Sequence, residues 1–231
     1  DAKLNQGQSF SRLMSFAMYG PKSPATNLLT EAELTNMNPQ ELVDRIHNQN
    51  SYKHRILYYG PSSSKDLLAT INQYHQVPAA LKDIPAGNEY SYLETPVTKV
   101  LVAPYDAKQI YMAQISNLDK KYDPAIEPIR ALYDEYFGGG MNSIVFQEMR
   151  ETRGLAYSAW ASIMPPSYLK YPYVLRTQIA TQNDKMIDAV TTFNDIINNM
   201  PESEAAFKLA KDGLTNRLRT ERIIKGDIIW S

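Results

Sequence analysis

Apolar residues recur at helical spacing along much of the chain and predict a series of amphipathic helices. Residues 6–18 place four apolar side chains on one stripe, and Gly20 and Pro21 end that pattern. A capping box that begins at Thr30 and an Asn-Pro pair that begins at Asn38 predict two further helix starts. Later helices are predicted after Ser62–Ser64, after Asp123, over 143–152, from Met186 to Ile197 and from Phe207 to Leu218.

Shorter apolar or alternating stretches between these helices predict β-strands. They cover residues 55–59, 99–103, 109–115, 156–163 and 173–181. The later strands come in pairs, and the helices that follow them also come in pairs. This order favours an antiparallel sheet over a doubly wound parallel sheet. We therefore predict an α+β fold of two layers, with helices packed on one face of an antiparallel sheet.

A unit boundary is predicted between Ala79 and Glu94, where periodicity is weak and Pro85 and Gly87 interrupt the chain. One unit would span residues 1–86, in the order helix, helix, strand, helix, and a second would span 87–231. A lone strand at 55–59 would leave backbone N–H and C=O groups unpaired. We expect it to join the sheet of the downstream unit, within the molecule or by exchange between two copies.

Composition narrows the classes of function. The chain has 231 residues, of which 43% are hydrophobic and 21% charged, as in ordinary globular proteins. A net charge of −1 disfavours nucleic-acid binding, and no apolar run approaches the ~20 residues of a membrane span. The absence of Cys excludes disulfides and thiolate metal sites. Because the sequence does not begin with Met, we expect further sequence upstream of Asp1.

The histidines do not form a metal-binding pattern. A zinc-peptidase helix places two His on one face with a Glu beside them. His47 and His54 are seven residues apart, but no Glu lies between them and His54 opens a predicted strand. His75 stands apart from both. We therefore predict that this chain alone binds no metal.

A glycine cluster follows the helix predicted after Asp123, in the sequence Phe137-Gly138-Gly139-Gly140-Met141-Asn142-Ser143. Gly138 is expected at a left-handed helix cap, and Gly139 and Gly140 would let the chain turn into the next helix. A phosphate cradle is the usual alternative for glycines ahead of a helix. It fits poorly here, because the P-loop spacing is absent and a helix precedes the glycines.

This cluster and the stretch Phe146-Gln-Glu-Met-Arg-Glu-Thr-Arg-Gly-Leu-Ala-Tyr-Ser158 strongly resemble the second-half signature of the insulinase/pitrilysin family of zinc peptidases. The resemblance extends from about Asp123 to Ile163, and more loosely over residues 1–100 and the final helices. It implies a mitochondrial-processing-peptidase-like fold built of tandem homologous domains, with residues 1–86 as the tail of one domain and residues 87–231 as the front of the next. In that family an inverted H-x-x-E-H zinc site lies in another domain, and no such motif occurs in this chain.

The resemblance also implies roles for individual residues. Arg150 would orient the peptide backbone, and Tyr157, seven residues later, would donate a hydrogen bond to the oxyanion or scissile carbonyl. Gly138, Gly139 and Gly140 would contribute to substrate binding. In the alternative interpretation, Arg150 pairs with Glu148 or Glu151 on a solvated helix, and Tyr157 packs in a core. Arg153 is interpreted as a surface charge.

Two functions remain open. In the first, the chain is the C-terminal, metal-free part of a zinc metalloendopeptidase, inactive alone, whose zinc is bound outside this chain. Its partners would be a peptide or unfolded polypeptide, the zinc-binding half of the enzyme, and in a homodimer a second copy. In the second, the chain is a non-catalytic homologous half that serves as a scaffold or partner subunit. The compartment is undetermined, with a periplasmic or secreted location slightly favoured over a cytoplasmic one.

Overall fold

The computed structural model describes residues 5–222 and 228–229. They form two compact units, one made of the described part of Asp1–Asn27 with Tyr90–Thr220, the other of Leu28–Glu89 with the described residues after Thr220. The first unit thus combines two separate stretches of chain. That residues 1–86 and 87–231 belong to two successive family domains stays a prediction.

The first unit is built on a three-stranded antiparallel sheet in the order β1-β3-β2. Its strands are β1 (Gln109–Lys121), β2 (Ser158–Met164) and β3 (Pro172–Gln182). In the central strand β3, Ala180 lies opposite Tyr111 of β1 and Thr177 lies opposite Ala161 of β2. The predicted α+β class with an antiparallel sheet is confirmed.

Helices occur in both units. They are α1 (Gln6–Tyr19), α2 (Glu31–Thr35), α3 (Pro39–Asn48), α4 (Ser64–Tyr74), α5 (Glu127–Phe137), α6 (Ile144–Phe146), α7 (Met186–Asn198) and α8 (Glu204–Thr220). The α6 helix continues directly into a π-helical turn over Gln147–Thr152. A 3₁₀ turn at Pro124–Ile126 precedes α5, so the regular helix starts late, as Pro128 in its first turn predicts.

The core of the first unit lies between the sheet and helices α5 to α8. Its members include Phe137, Met149, Ile179 and Phe193, each at most 1% exposed. Full burial of a side chain of this size contributes about 1.5–3 kcal/mol to folding. Met112 of β1 packs against this core. Successive strand residues point to opposite faces, and the neighbouring Tyr111 contacts Phe10 of α1.

The outer edge of β2 is closed by side chains of α5 instead of by another strand. The Ile163 amide donates to Asp134 Oδ1 at 2.9 Å, and Arg130 Nη1 donates to the Ile163 carbonyl at 3.1 Å. Arg130 also contacts the carboxylates of Glu127 and Asp134, at 2.9 and 2.7 Å. Tyr173 donates to Glu127 at 2.6 Å, which extends the network to β3. These bonds satisfy backbone groups that an edge strand would otherwise expose.

The glycine cluster carries the chain from α5 past β2. Gly138 has φ −142°, so the left-handed cap expected at this residue is wrong. A Cβ atom on Gly138 would collide with the backbone of Ala161, whose amide donates to the Gly138 carbonyl at 3.4 Å. Gly138 is therefore needed for a close approach between backbones. A left-handed glycine occurs instead at Gly154, with φ 58°.

The second unit contains α2, α3 and α4, and their caps agree with the predictions. Thr30 and Glu33 form a capping box, Asn38 accepts from the Gln40 amide, and Ser63 accepts from the Asp66 amide. Leu68 of α4 is 57% exposed. Ile129 of α5 is also exposed.

Two predicted strands do not form. Residues 55–59 and 99–103 are not in strands, and the sheet of the first unit contains neither segment. Within the chain, residues 55–59 therefore do not pair with the downstream sheet, and exchange between two copies stays a prediction. Near that segment, Tyr52 forms an isolated β-bridge with Lys82. Apolar residues such as Ile56 and Val100 remain exposed, because an extended segment without a neighbouring strand has no ladder to join.

The glycine geometry predicts different costs at neighbouring positions. Gly138→Ala forces a methyl group into the Ala161 backbone, so the free energy of unfolding should fall by about 1–3 kcal/mol. Gly139→Ala should also destabilise, because its Cβ would lie 2.7 Å from the Asp134 carbonyl oxygen. Gly140→Ala is the matched control, since its nearest neighbour is Glu135 Oε1 at 3.7 Å. Thermal unfolding midpoints of the three variants test this, and equal losses would contradict it.

The Tyr173 hydrogen bond predicts a pH-dependent contribution to stability. It is the main reason that the pKa of Glu127 is lowered; Arg130 acts in the same direction and burial opposes both. A lowered carboxyl pKa stabilises the fold above the ordinary pKa of Glu, near 4.3, and this is lost as pH falls through the folded value. Tyr173→Phe should cost about 1–3 kcal/mol at pH 7. Urea unfolding at pH 7 and pH 3 should show the cost shrinking in acid; a constant cost would contradict the assignment.

Burial acts in the opposite direction on the neighbouring carboxyl group. It raises the pKa of Asp134, although hydrogen bonds from Ile163 and Ser162 and the charge of Arg130 oppose the shift. The raised pKa means that ionisation of Asp134 lowers stability as pH rises above the ordinary Asp value. The charge of Glu127 also raises the pKa of Asp134, so the pH dependence of the difference between Tyr173→Phe and the unmodified chain reports on Glu127 together with its effect on Asp134.

Candidate functional site

The segment that carries Arg150 is held by a capped helix start and a buried side chain. The Ser143 hydroxyl accepts the Phe146 amide at 3.4 Å and begins the helix, and Met149 is fully buried one turn later. The helix then widens into its π turn, a feature often found at functional sites. Gly154 ends it in the left-handed conformation and donates to the Arg150 carbonyl at 3.0 Å. Arg150 therefore lies on the last turn before a sharp change of direction.

The structure brings Arg150 and Tyr157 together. The Arg150 Cζ lies 5.8 Å from the centroid of the Tyr157 ring and 5.0 Å from that of Phe146. These distances are within the range of cation–π attraction. Arg150 Nε also approaches Glu151 at 3.5 Å, but both side chains are about half exposed. An exposed ion pair of this kind contributes little to stability, so the guanidinium remains available to another anion.

Tyr157 has a fixed backbone and a free side chain. Its amide donates to the Ala180 carbonyl of β3 at 2.8 Å, and Thr181 donates to the Leu155 carbonyl at 2.5 Å. The side chain is 73% exposed, so the alternative that Tyr157 packs in a core is wrong. Among the described residues, no group hydrogen-bonds to its hydroxyl. The result is a phenol that a rigid turn presents to solvent.

Arg150 and Tyr157 line an open depression of about 460 Å³. Its other lining residues are Lys108, Gln109, Gly154, Leu155, Ala156, Thr181, Gln182 and Lys185. Sequence analysis did not single out the two lysines. Nothing in the local sequence marks them, because their proximity depends on the pairing of β1 with β3.

The glycines lie elsewhere. Gly140 lines a separate depression of about 90 Å³ beside Leu209 and Gly213 of α8, and Gly138 is buried against β2. Neither depression includes Gly139 among its lining residues. A substrate-binding role for Gly138, Gly139 and Gly140 stays a prediction. Arg153 contacts Glu148 at 3.4 Å on the surface, in agreement with its interpretation as a surface charge.

The described residues contain no group of three or more His, Cys, Asp and Glu side chains that could hold a metal ion. His54 and His75 approach each other, with 2.7 Å between their Nε2 atoms, and both are in the second unit. His47 lies in α3. The zinc-binding set that the family resemblance implies is therefore not found in this part of the protein. No helix within residues 5–222 or 228–229 has the length and apolar character of a membrane span.

Several solved structures share this fold. A peptidase M16 inactive domain from Pseudomonas fluorescens matches 99% of this chain and 54% of its own, with 18% identity and a TM-score of 0.61. Complex III2 from Candida albicans, with Inz-5 bound, matches 99% of this chain and 56% of its own, with 12% identity and a TM-score of 0.57. A protease from Helicobacter pylori matches 86% of this chain and 49% of its own, with 13% identity and a TM-score of 0.53. At these identities the likeness shows the fold alone, and the chain spans about half the length of each. No curated protein matches the chain by sequence.

A match to a protein-family model assigns the chain to a family, which the fold likeness alone does not. Residues 56–214 match the family described as the peptidase M16 inactive domain, a span that includes the sheet, the glycine cluster and both Arg150 and Tyr157. The description agrees with the expectation of a non-catalytic half that has no peptidase activity of its own. Since the match extends over more than half of the sequence, the chain belongs to the peptidase M16 inactive-domain family.

Proposed function

We propose that this chain is the non-catalytic part of a zinc metallopeptidase and supplies Arg150 and Tyr157 to peptide bound at a zinc site on another domain. The observation that carries the proposal is the pairing of a guanidinium and a free phenol at one exposed depression. The shared fold of the protease from Helicobacter pylori agrees with a proteolytic setting.

The chemistry follows from the groups that these side chains present. Negative charge develops on the carbonyl oxygen when a peptide bond is hydrolysed, and a preorganised donor lowers the energy of that state. The Tyr157 hydroxyl is such a donor. The Arg150 guanidinium offers five N–H donors and a permanent charge, which suits it to hold a peptide carbonyl or carboxylate. Neither side chain activates water, so the chain requires a partner domain for catalysis.

The rigidity of the supporting turn strengthens this proposal. Stabilisation of a short-lived oxyanion requires hydrogen-bond donors that are already in place. If the donors had to move first, the free energy of that movement would offset the stabilisation. The backbone bonds from Tyr157 to β3 and from Gly154 to the π turn provide that placement. A phenol on a loosely held loop would lack it.

The second candidate function is a structural one. Complex III2 from Candida albicans includes a chain of this fold, which supports a scaffold or partner-subunit role. Exposed apolar residues in the extended segments, among them Ile56, Leu57, Val100 and Val102, are consistent with further protein contacts. This role needs neither a free phenol nor a guanidinium beside it, so mutation of the pair separates the two candidates.

Tyr157→Phe should lower kcat of the full-length enzyme by about 10²–10³-fold, because it removes one oxyanion donor and preserves the ring. Zinc content and the thermal unfolding midpoint should not change. Tyr74→Phe is the matched control, since Tyr74 is also 73% exposed but lies at the end of α4. Steady-state kinetics on one peptide, with zinc measured by elemental analysis, decide the outcome. Unchanged kcat in Tyr157→Phe would remove Tyr157 from the reaction.

Arg150→Ala should reduce kcat/KM by about 10–100-fold, mostly through KM, because a hydrogen bond to a charged group contributes about 1.5–3 kcal/mol. Arg153→Ala provides the control, since it removes the same charge three residues away from a side chain of similar exposure (49% against 46%). Equal effects of the two substitutions would indicate a general charge effect. Normal turnover in both Arg150→Ala and Tyr157→Phe would leave only the scaffold function.

A further inference from the structure

The depression at Tyr157 is lined by charges of one sign. Among the described residues, its ionisable lining residues besides Tyr157 are Lys108, Arg150 and Lys185, with no Asp or Glu. This is a local property, because the chain as a whole carries a net charge of −1. A surface that concentrates three cations around one exposed phenol favours an anionic ligand.

Among the described residues, the three cations have one carboxylate contact. It is the long, exposed pair of Arg150 with Glu151. Lys185 Nζ donates to the Gly154 carbonyl at 3.0 Å, which leaves two of its three N–H donors. Within residues 5–222 and 228–229, no carboxylate lies within ion-pair distance of Lys108 or Lys185. Arg130 of the same unit is different, since it holds two carboxylates at 2.7 and 2.9 Å.

Backbone bonds hold the lysines on adjacent segments. The Asn183 amide donates to the Lys108 carbonyl at 3.3 Å, and its side-chain amide donates to the Ala107 carbonyl at 3.0 Å. Lys185 follows in the same turn, immediately before α7. Because Lys185 also bonds to Gly154, it links this turn to the loop that presents Tyr157. The cations therefore lie on fixed parts of the unit.

We infer that this depression is a carboxylate subsite: the peptide that contacts Tyr157 is bound through a carboxylate that Lys108, Arg150 and Lys185 surround. The inference rests on the proposed function for the presence of a peptide, and adds the class of peptide that is preferred. Arg and Lys form short, charge-assisted hydrogen bonds to carboxylates, and Arg can do so with two parallel bonds. Acidic side chains and a free peptide C-terminus supply the same chemistry.

The test uses the full-length enzyme and peptides of one sequence. For each position near the cleaved bond, three internally quenched peptides carry Glu, Gln or Lys at that position, and each peptide is made with a free or an amidated C-terminus. We expect kcat/KM for the best Glu peptide to exceed that for its Gln analogue about 10-fold at low salt, and that for its Lys analogue by more. If the bound carboxylate is the C-terminus, amidation should cause the loss and the Glu/Gln difference should vanish. No preference in either arm would overturn the inference.

Substitution of Lys108 and Lys185 tests whether the preference for a carboxylate arises at this depression. Lys108→Gln and Lys185→Gln should each reduce the preference for the carboxylate at least threefold, where the preference is the ratio of kcat/KM for carboxylate and neutral, amidated peptides measured in the same variant. Lys120→Gln is the matched control, because it removes an exposed lysine near the far end of β1. The preference should also weaken as ionic strength rises from 0.05 to 0.5 M, since these charges are partly solvated. An undiminished preference in both lysine variants would overturn the assignment.

The two proposals fail in different ways. If Tyr157→Phe impairs turnover of every peptide but the lysine variants leave the carboxylate preference intact, the carboxylate subsite is wrong and the proposed function stands. If Tyr157→Phe and Arg150→Ala leave turnover of all peptides normal, the proposed function is wrong. Equilibrium binding of singly labelled versions of these peptides to the chelator-treated, metal-free enzyme, followed by fluorescence anisotropy, gives a readout that does not depend on turnover. Equal affinity for the carboxylate and neutral peptides there would also overturn the subsite.

Discussion

The contact between α5 and the outer edge of β2 holds the rest of the first unit in place. Arg130 and Asp134 satisfy the carbonyl and amide of Ile163, so the strand is paired on one side by β3 and on the other by side chains. Such a charged network is costly to bury unless its members are mutually bonded, and here each of them is. The contact fixes how far β2 can lie from α5, and Gly138 allows the remaining approach at Ala161.

That constraint determines where Arg150 and Tyr157 lie. With β2 held between α5 and β3, the turn that enters the strand must pass Ala180, to which the Tyr157 amide is bonded. The π turn before it takes its direction from Met149, whose buried side chain leaves Arg150 facing outward. The exposed phenol and guanidinium thus owe their positions to buried groups. Substitution of those buried groups would shift Arg150 and Tyr157 without changing either side chain.

Local features of this chain could be predicted from its sequence, and features that depend on distant residues could not. Helix starts at Thr30, Asn38 and Ser63 need only a side chain and the amide two or three residues later. The proximity of Arg150 to Tyr157 also follows from short spacing and a family resemblance. In contrast, Gly138 is required by the distant Ala161, and Lys108 reaches the depression through strand pairing. The strands expected at 55–59 and 99–103 fail for the same reason, since a strand exists only with a partner.

Gly154 links the Arg150 side of the depression to the Lys185 side. Its amide donates to the Arg150 carbonyl and its carbonyl accepts from Lys185 Nζ, while its φ of 58° gives the turn its direction. No neighbour would obstruct a Cβ atom there, so the restriction is purely conformational. Among side chains, Asn and Asp tolerate this region of backbone space best. In natural sequence variation the residue should therefore alternate among Gly, Asn and Asp, and an Asp would bring a negative charge to a basic surface. Asn is then the one replacement that preserves both the turn and the charge around it.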